Sequence, residues 1–360
     1  MKKFVSFSKI GQFRGVISDI KHHTQYIGKD DDGNIVMDRN ATMPVVPFKG
    51  TVKLHGTNAG IGVDSEGEIW YQSRSNIITP EHDNAGFAFF ADNRKDIFLK
   101  FVQDIRTRTG LVDETIVIFG EWCGGSIQKG VAISGLDKMF VIFAVKVAIV
   151  GFEGEEEETT EVQSNYYLTD DVWMDLKSEN DKIYNINDFP YTVIDIDFNE
   201  PEMSRNKLIE IMSEVEKECP VGKAFGKKLG EDNTTGEGNV WVGWYKGNRY
   251  VFKVKGEEHS ATKVKTLVAV DTEKLESIKE FVTYSVTESR LLQGIEQVFT
   301  SKGVTPSLKT TGDYLKWIVS DIISEESDTL NDNNLEPKEV GKALSDYARK
   351  WYFTYLDGLV

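Results

Sequence analysis

One lysine in this sequence stands where a nucleophile could be held. Residues 53–58 read KLHGTN, so that Lys53 follows an apolar β-type run and precedes the turn residue Gly56. A lysine amine attacks phosphorus only when it is unprotonated, and burial or a neighbouring cation disfavours the protonated form. Strand alternation turns Val52 and Leu54 to the core and Lys53 to the opposite side. The spacing predicts a nucleophilic Lys53 in a cleft, although a lone lysine before a turn is ordinarily a surface residue.

A pair of lysines follows far along the chain, at residues 249–255 (RYVFKVK). Period-two alternation buries the three apolar residues of this run and places Lys253 and Lys255 side by side on the other face. Two ammonium groups on a rigid strand could stabilise a triphosphate and depress the pKa of a nearby lysine. A solvent-facing edge is the alternative. Residues 246–248 (KGN) predict a hairpin turn that joins this strand to 239–245.

Two glutamates could complete such a site. Glu121 follows the predicted strand 115–120, and we expect it at the end of that strand, where its carboxylate could accept ribose hydroxyl groups or bind a metal. Glu237 lies between two glycines, and Mg²⁺ prefers oxygen ligands that it shares with phosphates. No phosphate-binding Gly-Lys-Ser/Thr loop, dinucleotide-binding glycine motif or His-Glu-x-x-His zinc helix is present.

The composition predicts a globular protein of two domains. The 360 residues are 40% hydrophobic and include 20 Phe, 13 Tyr and 7 Trp. No apolar run approaches the ~20 residues of a membrane span, and the N-terminus lacks the apolar core of ~7–15 residues that a secretory signal needs. Cys123 and Cys219 have no paired spacing and predict neither a disulfide framework nor a zinc site. We therefore expect a cytoplasmic protein.

The net charge of −16 argues against nucleic-acid binding, because phosphate contacts come from Lys and Arg. The basic residues are not evenly spread, however. From residue 222 to residue 265 there are nine basic and five acidic residues. This segment could contact phosphate, although a solvated charged surface would explain it equally well.

Hydrophobic patterning predicts an α+β fold. The candidate strands are 45–54, 60–63, 68–72, 115–120, 139–150, 191–198, 239–245 and 249–255. Amphipathic helices are predicted at 93–107 and 204–218, and then at 272–300, 311–325 and 336–356. The change to helix near residue 265 predicts a separate helical C-terminal domain.

In order and spacing, these segments resemble the covalent nucleotidyltransferases, and among them the bacteriophage RNA ligase 2 family. Residues 53–58 look like the nucleophile motif, with His55 where DNA ligases usually carry Asp. Residues 71–74 (YQSR) look like the segment whose arginine contacts ribose and RNA ends, and 119–122 (FGEW) like the glutamate motif that binds the adenosine ribose.

Three further segments extend the resemblance. Residues 140–143 (FVIF) look like the strand whose aromatic residue, here Phe143, stacks on adenine. Residues 237–240 (EGNV) resemble the metal-associated glutamate motif, and 253–255 (KVK) the closing lysine pair. The chain departs from the family pattern at Ala144, where many relatives have Asp, and at Val242, where the pattern has Lys.

The resemblance implies an ATP-dependent RNA ligase with an adenylation domain of antiparallel sheets and flanking helices at 1–262 and an all-helical domain at 263–360. A DNA ligase or mRNA capping guanylyltransferase stays open, but these usually append a β-barrel where this chain appends helices. A non-catalytic nucleic-acid-binding module is the third hypothesis.

The resemblance also assigns roles, with ATP and Mg²⁺ as cofactors and Mn²⁺ as a substitute metal. Its catalytic residues are Lys53, Lys253, Lys255 and Glu237, the last also the metal ligand. Its ATP- or AMP-binding residues are Lys53, Leu54, His55, Asn58, Arg74, Glu121, Phe143, Glu237, Lys253 and Lys255. Asn58 and Arg74 would also contact the RNA end.

The implied partner is RNA with 3′-hydroxyl and 5′-phosphate ends, either a nicked duplex or single strands. We expect a monomer without membrane contact that repairs RNA in the cytoplasm, in the host cell if a phage encodes it.

Overall fold

The structure, a computed structural model, describes residues 4–31, 33–125, 127–150, 162–227, 234–255 and 271–358. It divides into two compact units. The first takes in described residues of Met1–Ile20, Val45–Phe198 and Asn206–Val268, and the second those of Lys21–Pro44, Asn199–Arg205 and Ala269–Val360. The predicted domain boundary at residues 262 and 263 lies outside the described residues and stays a prediction.

The strands of the described chain form three sheets. They are β1 (Tyr26–Lys29), β2 (Ile35–Met37), β3 (Val45–Val52), β4 (Thr57–Val63), β5 (Ile69–Ser73), β6 (Ile77–Ile78), β7 (Thr115–Cys123), β8 (Met139–Val150), β9 (Val162–Tyr167), β10 (Ile183–Asn185), β11 (Thr192–Asp197), β12 (Gly238–Tyr245) and β13 (Asn248–Lys255). The larger sheet has the order β10-β8-β7-β4-β5-β6, with β9 also paired to β8. The smaller has the order β11-β3-β12-β13, and β1 pairs with β2. Apart from the parallel β10–β8 pair, the strand pairs are antiparallel.

The helices flank these sheets or follow them. They are α1 (Phe13–Gln25), α2 (Phe87–Asp92), α3 (Lys95–Thr109), α4 (Asp170–Trp173), α5 (Arg205–Lys217), α6 (Pro220–Ala224), α7 (Thr272–Ser285), α8 (Glu288–Val298), α9 (Thr311–Glu325), α10 (Ser327–Asp332) and α11 (Pro337–Asp357). The predicted α+β class, with antiparallel sheets, flanking helices and a helical C-terminal region, is confirmed. No helix among the described residues is long and apolar enough to cross a membrane.

Alternating side chains give the smaller sheet two different faces. On β3, Val46, Phe48 and Val52 are buried on one face, whereas Lys49 and Thr51 lie on the other and stay partly accessible. The hairpin of β12 and β13 repeats this alternation. One face of the sheet therefore belongs to the core and the other is free to line a site.

Two apolar clusters hold the larger sheet. Residues of α2 and α3, such as Phe87 and Phe98, pack into one of them. The other contains Val5 and Phe7 of the N-terminal arm, residues 4–12. The Gln72 side chain fixes this arm, because it accepts a hydrogen bond from Val5 N at 3.3 Å and donates one to Val5 O at 2.7 Å. The arm is therefore part of the folded unit.

The second unit packs its C-terminal helices around a separate core with Tyr314 and Tyr352, both fully buried. The prediction of one helix over 272–300 is wrong, because α7 ends at Ser285 and α8 begins at Glu288. Thr287 has extended backbone angles, and its side chain accepts a hydrogen bond from Arg290 N. A threonine in this position caps a new helix, which ends the helical pattern of the preceding residues.

Candidate active site

Lys53 directly follows β3, and its backbone N–H donates to Gly238 O at 2.8 Å. Val52 and Leu54 on either side are 4% and 6% exposed. Because both neighbours are in the core, the Lys53 side chain faces away from it, as the alternation predicts.

A buried carboxylate holds the Lys53 amine. Glu237 is 2% exposed, and its Oε2 lies 2.5 Å from Lys53 Nζ and 2.9 Å from His55 Nδ1. Lys255 Nζ pairs with its Oε1. Burial alone would raise the pKa of Glu237, but His55, Lys53 and Lys255 outweigh it and lower that pKa to about 2. Glu237 is therefore an anion that gathers three basic groups around the candidate nucleophile.

Glu121 lies in the last three residues of β7, opposite Asn58 of β4, and the strand runs beyond the predicted end at Gly120. The strand continues to Cys123 because its last residues still pair with β4 and β8. The Glu121 carboxylate accepts a hydrogen bond from Gly56 N at 2.9 Å. Burial raises the pKa of Glu121 to about 7, against the opposing effects of Lys53 and the Gly56 N–H.

The turn after Lys53 requires glycine at position 56. A Cβ there would lie 2.3 Å from Trp122 O and 2.7 Å from Cys123 Cβ. This close approach of two backbones brings the Lys53 loop against β7 and hence against Glu121.

A cavity of about 380 Å³ is lined by residues of the larger and the smaller sheet. Its lining residues are Phe7, Lys9, Ile10, Lys49, Thr51, Val52, Lys53, Leu54, Asn58, Arg74, Glu121, Phe143, Asp170, Trp173, Ile186, Asn187, Val240, Val242, Arg249 and Lys253.

Most of the residues singled out from the sequence meet at this cavity. Lys53, Leu54, Asn58, Arg74, Glu121, Phe143 and Lys253 line it. His55, Glu237 and Lys255 are not among the lining residues but join Lys53 through the ion-pair network. Arg74 is exposed, after the end of β5, so that its side chain is accessible from outside the cavity.

Phe143 reaches the cavity because β8 has a bulge. Phe119 pairs with Ala144 and Gly120 with Ile142, which leaves Phe143 as the extra residue between them. A bulge re-aims one side chain of an otherwise regular strand. The Phe143 ring meets Phe7 of the arm edge-on, with centroids 5.2 Å apart, and stays partly accessible. Its free surface offers a flat apolar wall to a ligand.

Two polar groups of the lining are available to a ligand. Lys253 forms no ion pair with a carboxylate of the described residues, although its backbone N–H donates to Gly11 O at 3.2 Å. Burial and then Lys255 and Lys53 lower the pKa of Lys253. Asn58 Oδ1 is buried and has no hydrogen-bond partner among the residues that the structure describes. A cation and an acceptor therefore face the cavity.

Sequence reasoning missed several lining residues. Lys49 and Arg249 could have been predicted from strand alternation. Each lies four residues before one of the predicted lysines, Lys53 and Lys253, so alternation places it on the same face of the sheet. Phe7, Lys9 and Ile10 of the arm, and Asp170 and Asn187 from the segment between β9 and β11, carry no such signal. Tertiary packing alone brings them to the cavity.

A metal at this site could share its ligands with a bound substrate. The described residues contain no group of three or more His, Cys, Asp or Glu side chains arranged to hold a metal ion. Mg²⁺ is commonly bound by one or two carboxylates together with substrate phosphates. Glu237 is ionised at neutral pH, and both of its oxygens pair with basic groups, namely Lys53, His55 and Lys255. It could take part in this mode of binding once a substrate had displaced some of these contacts.

Lys53 is thus ion-paired with a buried carboxylate beside a cavity that is lined by residues of the larger and the smaller sheet. The chain belongs to the RNA ligase family, whose model, described as RNA ligase, matches residues 46–255. This match covers more than half of the chain and includes all of the predicted site residues.

Solved structures of Naegleria gruberi RNA ligase are also similar. A mutant with ATP and Mn is 14% identical with a TM-score of 0.42, and the match covers 72% of this chain and 58% of that chain. The same ligase with PPi is 15% identical with a TM-score of 0.40, covering 78% and 60%. This chain thus spans less than two thirds of those proteins. A comparison with curated proteins finds no match.

Proposed function

We propose that this chain is an ATP-dependent RNA ligase of the bacteriophage RNA ligase 2 group. Lys53 Nζ attacks the α-phosphate of ATP, which forms a P–N bond and expels pyrophosphate. A 5′-phosphate oxygen of RNA then attacks the lysyl-AMP, which releases Lys53 and forms an RNA-adenylate. Finally, a 3′-hydroxyl attacks that 5′-phosphate, which forms the phosphodiester and expels AMP.

The observation that carries this proposal is the environment of Lys53 in a chain of the RNA ligase family. Its amine is ion-paired with a buried carboxylate at a cavity that also presents Lys253 and an Asn58 oxygen without a hydrogen-bond partner among the described residues. Phosphoryl transfer depends mainly on positioning and on stabilisation of phosphate charge. Lys53 has to lose both its proton and its contact with Glu237 before it attacks, because a protonated amine is not a nucleophile.

The other groups are assigned by where they lie. Lys253 and Lys255 neutralise the phosphates, Glu121 orients the ribose, and Phe143 stacks on the adenine. Mg²⁺ or Mn²⁺ would be held by Glu237 and the nucleotide phosphates and would supply further neutralisation of charge.

Asn58 and Arg74 are assigned to contact the RNA end. Both line the cavity, and Arg74 is also exposed to solvent. The substrate is RNA with 3′-hydroxyl and 5′-phosphate ends. The protein acts as a monomer and joins these ends during RNA repair in the cytoplasm.

The test is covalent labelling with α-labelled ATP and Mg²⁺ followed by a denaturing gel. We expect a labelled protein band for the unmodified chain and none for Lys53→Ala. Lys207→Ala is the matched control, because within the described part of the chain this exposed lysine pairs only with its helix neighbour Glu210. The labelled chain should then seal a nicked RNA duplex or single strands, and a comparison of the two substrates identifies the preferred acceptor.

Three results would contradict the proposal. Label that persists in Lys53→Ala would assign the nucleophile elsewhere. Label from GTP and not from ATP would indicate capping chemistry. Absence of label from either nucleotide, in a protein that still binds RNA, would indicate a non-catalytic binding module.

A further inference from the structure

A second charged cluster lines the cavity away from the candidate nucleophile. Lys49 and Arg249 lie on the same sheet face as Lys53 and Lys253, four residues earlier on β3 and β13. At about 3.3 Å per strand residue, four residues span roughly 13 Å. Val240 and Phe143 also line the cavity and supply apolar surface. The cavity thus has a lysine-rich end, apolar walls and a second polar end.

The second end is rigidly built. Lys49 Nζ donates to Asp170 Oδ2 at 2.9 Å and to Asn187 Oδ1, and lies 4.3 Å from the centre of the Tyr191 ring. Asn187 is itself held, because its side-chain nitrogen donates to Oδ1 of the fully buried Asn185 at 2.9 Å. These contacts fix the Asp170 carboxylate at the cavity wall and leave its second oxygen free of any contact with Lys49.

Arg249 at this end has no side-chain acceptor among the residues that the structure describes. Its guanidinium lies 4.5 Å from the centre of the Tyr167 ring, and no side-chain hydrogen bond or ion pair joins it to another described residue. Asp170 acts on it electrostatically, and burial lowers the pKa of Arg249. A guanidinium carries five N–H donors, and Arg249 is partly accessible where it lines the cavity. A ligand in the cavity that offers an acceptor could therefore receive a hydrogen bond from Arg249.

We propose that Asp170 and Arg249 recognise the edge of the purine base, an inference that rests on the proposed ATP-dependent function. Asp170 accepts a hydrogen bond from the exocyclic amine of adenine, and Arg249 donates to a ring nitrogen beside it. Lys49 is a positioning residue that holds Asp170. Guanine presents a carbonyl oxygen where adenine has its amine, and that oxygen would face the carboxylate unfavourably. The pair thus selects ATP over GTP.

The test measures kcat/KM for covalent labelling with ATP and with purine riboside triphosphate, which lacks the exocyclic amine. A hydrogen bond to a charged group corresponds to roughly 10- to 100-fold in rate or affinity. We expect the unmodified chain to prefer ATP by that factor. Asp170→Ala should lose the preference by becoming slower with ATP while changing little with purine riboside triphosphate. Asp171→Ala is the matched control, because Asp171 neighbours Asp170 in α4 but is exposed and does not line the cavity.

Asp170→Asn keeps an acceptor oxygen and the side-chain shape. Its preference for ATP should therefore lie between that of the unmodified chain and that of Asp170→Ala. Equal slowing of Asp170→Ala with both nucleotides would mean that Asp170 only supports the fold, and would overturn the inference while the ligase function stands. An unmodified chain that labels equally with both nucleotides would overturn it too. An unmodified chain that labels with neither would overturn the proposed function itself.

Discussion

Replacing Glu237 with glutamine removes the carboxylate that Lys53, His55 and Lys255 share. The pKa of Glu237 is lowered from its ordinary value of 4.5 to about 2. Because one pKa unit corresponds to about 1.4 kcal/mol, the ionised carboxylate contributes about 3 kcal/mol to the free energy of unfolding at pH 7. Glu237→Gln should lower that free energy by about this amount.

The pH dependence of this effect has a definite sign. A carboxylate whose pKa is lower in the folded chain stabilises it above the unfolded value of 4.5, and this stabilisation is lost as the pH falls through 2. The difference between the unmodified chain and Glu237→Gln should therefore shrink from about 3 kcal/mol at pH 7 to about 1 kcal/mol at pH 3.

Urea denaturation followed by tryptophan fluorescence measures this difference. The control is Glu210→Gln, which breaks an exposed ion pair with Lys207 in the same unit and should cost under about 0.5 kcal/mol. A Glu237→Gln chain no less stable than Glu210→Gln at pH 7 would refute the reasoning, because the three basic groups would then not hold Glu237 ionised.

Three further outcomes are expected. The pKa of Glu121 is raised to about 7, so its buried carboxyl group stabilises the chain while protonated and this stabilisation is lost as the pH rises through 7. Between pH 5 and pH 8 the free energy of unfolding should therefore fall by about 2 to 3 kcal/mol more in the unmodified chain than in Glu121→Gln. Urea denaturation at both pH values measures this difference. Gly56→Ala should lower the free energy of unfolding by roughly 1–3 kcal/mol, because the new Cβ would clash with Trp122 O. Gly15→Ala is the control, because a Cβ at Gly15 would point into open space and should leave stability unchanged. Thermal unfolding distinguishes the two variants. Tyr352→Phe should cost about 1–2 kcal/mol in urea denaturation, since its buried hydroxyl donates to Ser307 O at 3.1 Å.

The strand alternation of the smaller sheet could be predicted from the sequence because it depends on neighbouring residues alone. Tyr250, Phe252 and Val254 are buried and alternate with the two lysines, as expected. The predicted turn is also present, with Lys246 and Gly247 both at positive φ. Where a side chain's direction follows from its own strand, local sequence is sufficient.

The rest of the cavity depends on contacts between distant segments. The resemblance assigned Phe143 to the adenine, yet regular alternation along β8 could not have predicted its direction, because a bulge sets it. The arm reaches the cavity through hydrogen bonds to Gln72 and Tyr167, which are remote in sequence. Period-two and period-3.6 patterns contain no information about such pairings, so Lys9 and Asp170 could be recognised only in the folded chain.

The charge of the cavity is opposite to that of the protein. Of the described residues that line it, six are basic and two acidic: Lys9, Lys49, Lys53, Arg74, Arg249 and Lys253 against Glu121 and Asp170. The whole chain nevertheless carries a net charge of −16. At physiological salt, exposed charges farther apart than about 8 Å are largely screened, whereas partly buried ones are screened much less. An anionic ligand would therefore be held by short-range contacts with these basic side chains, and the overall negative charge does not argue against nucleotide or RNA binding at this site.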